Sequence, residues 1–295
     1  MKPARAAVLA GLLRLFALLP LPAAHAVGAF LGWLFWLLPT EARRVTRINL
    51  SLCLPELEPR RRARLARRSL METGKTFTET GALWFWAPQR VLGLVREVDG
   101  LEHLEAAERQ GRGLIGLTPH LGAWELTSLY YAARGPITCL YRPPRLPELH
   151  DLVRQARERM GPQLVPTTPS GIKALYRALA RHQAVGILPD QDPGRHGGVF
   201  APFFGRPAGT MVLIPRLAHK TGAPAVFVYA ERLPRGRGYR LVFHPAPAEL
   251  AAADPAVGAA ALNRGVEACV RALPEQYQWS YKRFKSRPAG EPPRY

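Results

Sequence analysis

One stretch of sequence decides the fold: Gly113-Leu114-Ile115-Gly116-Leu117-Thr118-Pro119-His120-Leu121-Gly122-Ala123-Trp124-Glu125. Its first five residues are apolar or glycine and predict a buried strand, and the pattern from Trp124 to Tyr131 predicts a helix. His120 therefore lies at the strand end or in the following loop, and Glu125 lies in the first turns of the helix. If the segment between them were all helical, five steps of about 100° would put the two side chains on different faces.

An imidazole and a carboxylate that meet in such a loop predict proton transfer with an alcohol. The carboxylate of Glu125 would hold the ring of His120 in one tautomer and make the ring a better base. The spacing alone is common among proteins, and a capping or core histidine is the structural alternative.

Apolar strand-like runs alternate with helical patterns along the rest of the chain. The predicted strands are Gly113–Leu117, Ile137–Tyr141, Gln163–Pro166, Ala184–Leu188, Ala225–Ala230 and Tyr239–Phe243. The predicted helices are Trp124–Ala133, Pro147–Met160, Ser170–Arg181, Met211–Lys220 and Val257–Leu273. This alternation predicts an α/β fold with a largely parallel central sheet flanked by helices. The segment Leu233–Gly238 predicts a hairpin turn between the last two strands.

Composition predicts an intracellular protein with anionic partners. The 295 residues are 47% hydrophobic, which is ample for a core, and the formal net charge is +19. Such a charge fits nucleic acid, a membrane surface or acidic ligands. Zinc spacing, RNP-type aromatic runs and basic-region heptads are missing from the sequence, so we exclude nucleic acid as a partner. Cys53, Cys139 and Cys269 are far apart, which argues against a disulfide framework or a zinc site and fits a reducing compartment.

The amino terminus predicts a membrane segment. Leu15–Leu38 is almost entirely apolar and long enough to cross a bilayer core of about 30 Å. Trp33 and Trp36 lie toward its far end, where interfacial aromatic residues are typical. A cleaved signal peptide is the rival interpretation, but hydrophobicity continues well past the candidate cleavage site at Ala24-His25-Ala26. The interrupting prolines leave open a re-entrant or surface-lying helix pair.

Basic residues follow this segment and predict its orientation. The positive-inside bias keeps the rest of the chain in the cytoplasm. Glu58–Leu70 predicts a cationic helix that either contacts lipid headgroups or forms a solvated face. The arginines after the apolar segment are Arg43, Arg44, Arg47, Arg60, Arg61, Arg62, Arg64, Arg67 and Arg68.

The predicted organisation has four parts. Residues 1–40 form a membrane anchor and residues 41–90 a basic helical connector. Residues 91–285 form the α/β domain, and the proline-rich residues 286–295 form a flexible tail.

Several ordered motifs resemble the lipid A biosynthesis (lauroyl/myristoyl) acyltransferase family, within the lysophospholipid acyltransferase superfamily. His120 and Glu125 match the H-x4-D/E motif of that superfamily, in which many members have Asp at the second position. The resemblance covers nearly the whole chain. The other matching segments are Arg47–Leu50, Cys53–Glu56, Tyr141–Pro143, Leu188–Asp192, Pro202–Gly205, Thr221–Pro224 and Gln278–Phe284.

The resemblance implies an acyltransferase with a glycerolipid-acyltransferase-like fold. It would move a fatty acyl chain from acyl carrier protein to a hydroxyl of a lipid A precursor, a phosphorylated glycolipid. The reaction would take place at the cytoplasmic face of the bacterial inner membrane without cofactor or metal. His120 would be the general base and Glu125 the group that orients it. No G-x-S-x-G elbow is present, so direct transfer is preferred over an acyl-enzyme.

Further polar residues are candidates for substrate binding. Arg142 follows a predicted strand and is either an oxyanion donor, beside the backbone amides of the helix start, or a surface arginine. The loop after Leu188 carries two carboxylates, and such pairs also occur in glycosidases and divalent-metal sites. The resemblance instead implies a substrate loop, and an Asx turn is the structural alternative. The candidates in this loop are Asp190, Gln191, Asp192 and Arg195.

Two more groups have a functional and a structural interpretation. Lys282 and Arg283 would hold phosphates or belong to a solvated face. Phe203-Phe204 and Met211-Val212 would line an acyl channel or belong to the core. Two functions other than lipid A acylation stay open. The enzymatic alternative is acylation of another lysophospholipid or glycolipid, and the non-enzymatic alternative is a basic protein that binds a membrane surface without catalysis.

Overall fold

A seven-stranded, mostly parallel sheet forms the centre of the protein. The computed structural model describes residues 2–144, 146–194 and 197–295. The strand order is β1-β9-β8-β2-β5-β3-β4, in which only the β8–β9 pair is antiparallel, and β6 and β7 form a separate hairpin. The strands are β1 (Val95–Asp99), β2 (Leu114–Leu117), β3 (Ile137–Tyr141), β4 (Gln163–Pro166), β5 (Ala184–Ile187), β6 (Gly198–Phe203), β7 (Arg206–Met211), β8 (Ala225–Arg232) and β9 (Tyr239–Pro245).

Helices cover both faces of this sheet. Polar side chains cap several of them, as when the Thr168 hydroxyl accepts from the Gly171 N–H and the Asp254 carboxylate accepts from the Ala256 N–H. The α-helices are α1 (Lys2–Ala17), α2 (Leu21–Leu37), α3 (Glu41–Cys53), α4 (Pro59–Phe85), α5 (Pro88–Leu92), α6 (Leu101–Glu108), α7 (Glu125–Ala132), α8 (His150–Glu158), α9 (Pro169–Ala180), α10 (Leu213–Thr221) and α11 (Pro255–Ala272).

The predicted α/β class and parallel sheet are confirmed. All six predicted strands are present within a few residues, and the turn at Leu233–Gly238 joins an antiparallel pair. The sequence analysis missed β1, β6 and β7. β1 reads Val-Arg-Glu-Val-Asp and lies at the sheet edge, where its polar residues are exposed, so it lacks the apolar signature of the central strands.

Alternation along the central strands separates two hydrophobic cores. Ile115 and Leu117 of β2 belong to a core that includes residues of α9, α10 and α11. Leu114 of β2 belongs to the opposite core, which includes residues of α4, α6 and α7. Because successive side chains of a strand point to opposite faces, Gly116 and Thr118 share the face of Leu114.

The amino-terminal apolar run is not one helix. α1 ends at Ala17 and α2 begins at Leu21, so the segment Leu15–Leu38 is divided between two helices, the helix pair that its prolines left open. Pro20 precedes the first residue of α2, a position where proline favours a new helix start over continuation. In the part of the chain that the structure describes, no single helix is long and apolar enough to cross a membrane. α2 and α3 pass that test only together and are bent by 81°.

α2 and α4 pack closely through glycine. A Cβ atom on Gly74 would lie 1.9 Å from the Gly28 carbonyl oxygen, and one on Gly32 would lie 2.1 Å from the Leu70 carbonyl oxygen. Further along, the Thr78 hydroxyl donates to the Ala24 carbonyl at 2.7 Å. The two helices are therefore antiparallel and in backbone contact, as in small-residue helix interfaces.

The carboxyl-terminal tail, predicted to be loose, contacts the helical region. The Tyr295 hydroxyl donates to the Asn49 side-chain oxygen and accepts from the Phe284 N–H at 3.1 Å. The Asn49 amide in turn donates to the carbonyls of Trp279 and Tyr281, each at 2.7 Å. α3 is thereby bonded to the last segment of the chain.

We expect Gly74→Ala to destabilise the protein by about 1–3 kcal/mol or more, because the new methyl group must push the two helix backbones apart. Thermal unfolding of the purified protein measures the effect. The matched control is Gly11→Ala in α1, where a Cβ atom would meet nothing within 4 Å. That control should be neutral or stabilising by up to about 1 kcal/mol through helix propensity. Equal stability of both variants would contradict the close α2–α4 contact.

Candidate active site

His120 and Asp190 lie side by side because two adjacent parallel strands end in register. Leu117 of β2 is paired with Ile187 of β5, and the Thr118 N–H donates to the Ile187 carbonyl at 3.1 Å. His120 and Asp190 each come three residues after this pair. The Asp190 carboxylate accepts from the His120 backbone N–H at 3.0 Å and contacts its Nδ1 at 2.8 Å. The pair thus lies at the carboxyl ends of the strands, where sites of α/β sheets collect.

These contacts assign the tautomer of His120. Burial alone would raise the pKa of Asp190, but the charge of His120 and its hydrogen bonds outweigh burial and lower that pKa. An ionised carboxylate only accepts, so Nδ1 carries the proton and Nε2 carries the lone pair. The Gln191 side-chain amide lies 3.1 Å from Nε2 and donates to it. His120 is therefore held with its basic nitrogen toward Gln191.

Glu125 lies near His120 but is not its hydrogen-bonding partner among the described residues. As the first residue of α7, it accepts from the Arg157 Nε at 2.8 Å and from the Trp84 Nε1 at 3.2 Å, and it also pairs with the Arg157 Nη2. Burial would raise the pKa of Glu125, but Arg157 and Trp84 outweigh burial and lower it. The predicted orientation of His120 by Glu125 thus differs from the structure, in which Asp190 takes that position.

The turn between His120 and α7 requires glycine and rests on a buried ion cluster. Gly122 has φ +60°, and a Cβ atom there would lie 2.0 Å from the Ala230 carbonyl oxygen. The Gly122 carbonyl accepts from the Arg232 Nη2 at 3.0 Å. Arg232 also donates to both carboxylate oxygens of Glu79, at 2.6 and 2.9 Å. The backbone of the motif is thereby bonded to α4 through two buried charges.

His25 of α2 completes this cluster. Its Nε2 lies 2.9 Å from the Glu79 carboxylate, which also accepts from the Tyr239 hydroxyl at 3.0 Å. Burial would raise the pKa of Glu79, but Arg232 and His25 outweigh burial and lower it to about 2. Glu79 therefore stays ionised, as a buried carboxylate with this many donors should.

A cavity of about 650 Å³ opens beside His120 and follows one face of the sheet. Its polar end includes His120, Glu125 and Gln191. Its remaining wall is largely apolar, and much of it comes from the face of the strands that carries Leu114. The apolar wall includes Leu104, Leu114, Gly116, Tyr131, Ile137, Cys139, Ala184, Gly186, Val226, Val228 and Phe243. Its size and lining fit an apolar ligand with a few polar groups at one end.

Two glycines keep the middle of this cavity open. Gly116 of β2 and Gly186 of β5 are paired in register, and both line the cavity. A Cβ atom on Gly116 would meet only the Val185 carbonyl oxygen at 3.4 Å, which is an ordinary contact. A larger side chain on Gly116 would therefore project into the cavity, whereas a Cβ atom on Gly186 would lie 2.9 Å from the Cys139 sulfur.

The other predicted site residues are divided between the cavity and the fold. Arg142 and Asp192 line the cavity, and Arg142 is exposed. The Asp192 carboxylate accepts from the Gly194 N–H at 2.7 Å and from the Ser286 N–H at 2.9 Å, as the Asx-turn alternative predicts. Arg195 lies outside the described residues.

The two basic residues predicted to hold phosphates lie outside the cavity wall. Lys282 is partly exposed and pairs with Glu41 at 2.6 Å. Arg283 is 3% exposed and donates to the Gly209 carbonyl, the Thr210 hydroxyl and the Asn263 side chain. These bonds use both Nη groups, while the buried Nε has no partner among the described residues. Arg283 therefore joins β7 to α11.

The predicted acyl-channel residues are also divided. Met211 lines the cavity. Phe203 and Phe204 belong to the opposite core, with their rings 4.9 Å apart and Phe204 5.9 Å from Trp279. The core interpretation is therefore correct for the two phenylalanines.

Most backbone amides of the turn are already bonded. The Leu121, Gly122 and Ala123 N–H groups donate to the carbonyls of Pro119, Gln276 and Ala230. Nothing in this arrangement leaves those three amides for an oxyanion.

Sequence reasoning missed Arg157 and Trp84 as neighbours of the site. They belong to α8 and α4, and no local motif marks either residue, since only the fold brings them to Glu125. The Arg157 Nη1 has no acceptor among the described residues, although Arg157 lines the cavity. Within residues 2–144, 146–194 and 197–295, no three His, Cys, Asp or Glu side chains gather as a metal site would require.

Comparison with known proteins identifies the family of this chain. Residues 3–286 match the sequence model of the bacterial lipid A biosynthesis acyltransferases. The chain is 32% identical over 286 residues to a lipid A biosynthesis lauroyltransferase of Escherichia coli K12, which covers 97% of this chain and 92% of that protein. It is likewise 32% identical over 286 residues to the palmitoleoyltransferase of the same strain, covering 95% and 91%. Identity to the myristoyltransferase is 28% over 254 residues, covering 85% and 77%. The chain is therefore an acyltransferase that belongs to the bacterial lipid A biosynthesis acyltransferase family.

Proposed function

We propose that this acyltransferase moves a fatty acyl chain from acyl carrier protein to a hydroxyl of a lipid A precursor, at the cytoplasmic face of the bacterial inner membrane. One observation carries the proposal: His120, held in a basic tautomer by Asp190, lies at the polar end of a long apolar cavity. The cavity suits an acyl chain, and the basic Nε2 nitrogen of His120 suits proton removal from an alcohol. Membership of the family gives the class of acceptor.

The proposed reaction is a direct transfer. The acceptor hydroxyl replaces the Gln191 amide at Nε2 of His120 and loses its proton to that nitrogen as its oxygen attacks the thioester carbonyl. The tetrahedral intermediate then collapses, the carbon–sulfur bond breaks, and the leaving thiolate takes the proton from the imidazolium. Asp190 stabilises the imidazolium throughout, as a buried carboxylate does for other catalytic histidines.

Two arginines are suited to the negative charges of this reaction. Arg157 is half-buried beside Glu125 and lines the cavity, so its remaining N–H group is suited to the developing oxyanion. In this arrangement, Glu125 positions Arg157 and adds negative charge near the imidazolium. Arg142 is exposed on the cavity wall and suits a phosphate of the acceptor, because a guanidinium binds phosphate oxygens in pairs.

Charge supports the proposed donor and the proposed face of the membrane. The net charge of +19 would steer an acidic carrier protein toward the enzyme and favour phosphorylated acceptors. The arginines that follow the apolar amino terminus favour the cytoplasmic side.

The proposed function is tested by acyl transfer in vitro. Wild-type enzyme is incubated with a phosphorylated lipid A precursor and either an acyl carrier protein thioester or the matching coenzyme A thioester, and products are measured by mass spectrometry. We expect the carrier thioester to be preferred and the preference to shrink as salt rises. His120→Ala should lower turnover by about 10²–10⁴, the usual contribution of a general base.

Several outcomes would contradict this proposal. Wild-type turnover in a folded His120→Ala protein would exclude His120 as the base. Equal use of both donors at low salt would exclude recognition of the carrier. Activity on lysophospholipids but not on the lipid A precursor would favour the alternative acceptor.

The assignment of the orienting carboxylate is tested separately. Asp190→Asn should lower kcat by about 10²–10⁴, because an amide can stabilise the wrong tautomer of His120 and cannot stabilise an imidazolium. Glu125→Gln should leave the His120 tautomer unchanged, since Glu125 does not contact the ring. Nitrogen-15 chemical shifts of the His120 ring measure the tautomer, and unfolding midpoints check both folds. A tautomer change in Glu125→Gln alone would restore Glu125 as the orienting group.

The apolar cavity is tested through Gly116. Strand geometry puts Gly116 about 7 Å along β2 from Thr118, well inside the cavity. We expect Gly116→Val to shift selectivity toward shorter acyl chains by about 10-fold or more, since each displaced methylene is worth that much in a pocket. Competition between carrier thioesters of different chain length measures the shift. Gly135→Ala, where a Cβ atom meets nothing within 4 Å, is the control that should keep wild-type selectivity. Unchanged selectivity in folded Gly116→Val would exclude this cavity as the acyl site.

A further inference from the structure

The amino-terminal helices carry an apolar surface without a partner. Ten of the fourteen large hydrophobic side chains that are exposed in the described residues lie between Val8 and Leu38. On α1, Val8, Leu12 and Leu15 repeat at helical spacing along one exposed face. Residues 1–40 contain no Asp or Glu. An apolar surface of this extent is typical of a lipid or protein contact.

α2 is apolar on both sides, but only one side is available to lipid. Its inner side packs against α4, where Gly28 and Gly32 allow backbone contact. Its outer side carries Val27, Phe30, Trp33 and Leu37, all exposed. The close contact with α4 holds α2 along the body of the protein.

Buried charge also keeps α2 in this position. His25 is 5% exposed and bonded to Glu79, which is 1% exposed and paired with Arg232. If α2 left α4 to cross a bilayer, His25 would lose its hydrogen bond to the Glu79 carboxylate. The Glu79–Arg232 ion pair would also become less buried. Breaking buried ion pairs of this kind is strongly unfavourable. α4 itself cannot follow α2 into hydrocarbon, because it carries Glu72, Lys75 and Glu79 in its middle.

Basic residues border the apolar surface at the end of α2. The Arg43 guanidinium lies 5.0 Å from the centre of the Trp36 ring, so an aromatic side chain and a cation meet there. The chain then bends by 81° into α3, which exposes Arg44 and Arg47. Because α2 and α4 are antiparallel, the same end of α2 lies toward the exposed Arg67 and Arg68 of α4. Interfacial aromatics next to cations are typical of the headgroup region of anionic membranes.

We propose that α1 and α2 lie within one leaflet of an anionic bilayer, with their apolar faces toward the acyl chains, and that the chain does not cross the membrane. The amino terminus and the α/β domain are then on the same side. The inference takes from the proposed function only that the enzyme works at a membrane. The helices thereby hold the enzyme at a lipid surface while remaining part of the folded protein.

The topology is tested in the full-length protein with two single substitutions to cysteine. Lys2→Cys marks the amino terminus, and Arg181→Cys, an exposed residue after α9, marks the α/β domain. Intact spheroplasts and everted inner-membrane vesicles are treated with a membrane-impermeant maleimide, and labelled peptides are identified by mass. We expect both cysteines to be labelled in everted vesicles and neither in spheroplasts. Labelling of Lys2→Cys in spheroplasts would show a membrane-spanning segment and overturn the proposal.

The lipid-facing surface is tested by vesicle flotation in high salt, with phosphatidylglycerol-containing vesicles. The double variant Phe30→Ser/Trp33→Ser should bind about 10²-fold less tightly or worse, because two large side chains no longer enter the leaflet. Val257→Ser removes an equally exposed side chain of α11 and should float like wild type. Unchanged flotation of the double variant would overturn the proposal.

Acyl transfer to a detergent-dispersed precursor separates this proposal from the proposed function. Normal turnover by the double variant shows that the enzyme is folded and that only membrane binding has changed. Failure of the wild type in that assay would contradict the proposed function and leave the topology result standing.

Discussion

The register between β2 and β5 is the constraint on which the site depends. Both strands end at the paired residues Leu117 and Ile187, and both are followed by a residue, a proline and a polar side chain. When two parallel strands end in register, the residues that follow them at equal distance lie side by side, so His120 and Asp190 come into contact. The two prolines restrict the backbone of both connections, which limits how far either side chain can move. A shift of register by one residue would separate the pair, and the buried charge of Asp190 would lose its contacts with His120.

The buried ion cluster links this sheet edge to the amino-terminal helices. Arg232 donates both to the Gly122 carbonyl and to Glu79, and Glu79 accepts from His25 of α2. Buried charges are stable only while each keeps its partners. The position of α2 and the backbone of the turn after His120 are therefore energetically coupled. The apolar helices thus have two roles in the fold, since one face offers a lipid contact and the other completes the support of the site.

Sequence patterns predicted the central sheet well because its signals are local. Buried parallel strands read as short apolar runs, and His120 marks the end of one of them. Asp190 was predicted as a substrate residue rather than as the partner of His120, although the matching Thr-Pro-His and Leu-Pro-Asp segments carried that information. Arg157 could not be predicted, because its pairing with Glu125 joins two helices that only the tertiary fold brings together. Arg283 was predicted to hold a phosphate or to lie on a solvated face. It is buried instead, and a basic residue within a motif gives no sign of burial in the sequence.

The two faces of the central strands explain how one sheet provides both stability and a binding cavity. On β2, Ile115 and Leu117 fill a close-packed core, while Leu114, Gly116 and Thr118 border the cavity. On β5, Ala184 and Gly186 border the cavity, and Val185 and Ile187 both belong to that core and border the cavity. Glycine in a strand interior gives up packing and adds conformational entropy to the unfolded chain, so this pair lowers stability at the centre of the sheet. The opposite face can offset that loss because its core is continuous with α9, α10 and α11. Because side chains alternate along each strand, small residues can line a cavity on one face of the sheet while large apolar residues on the other face stabilise the fold.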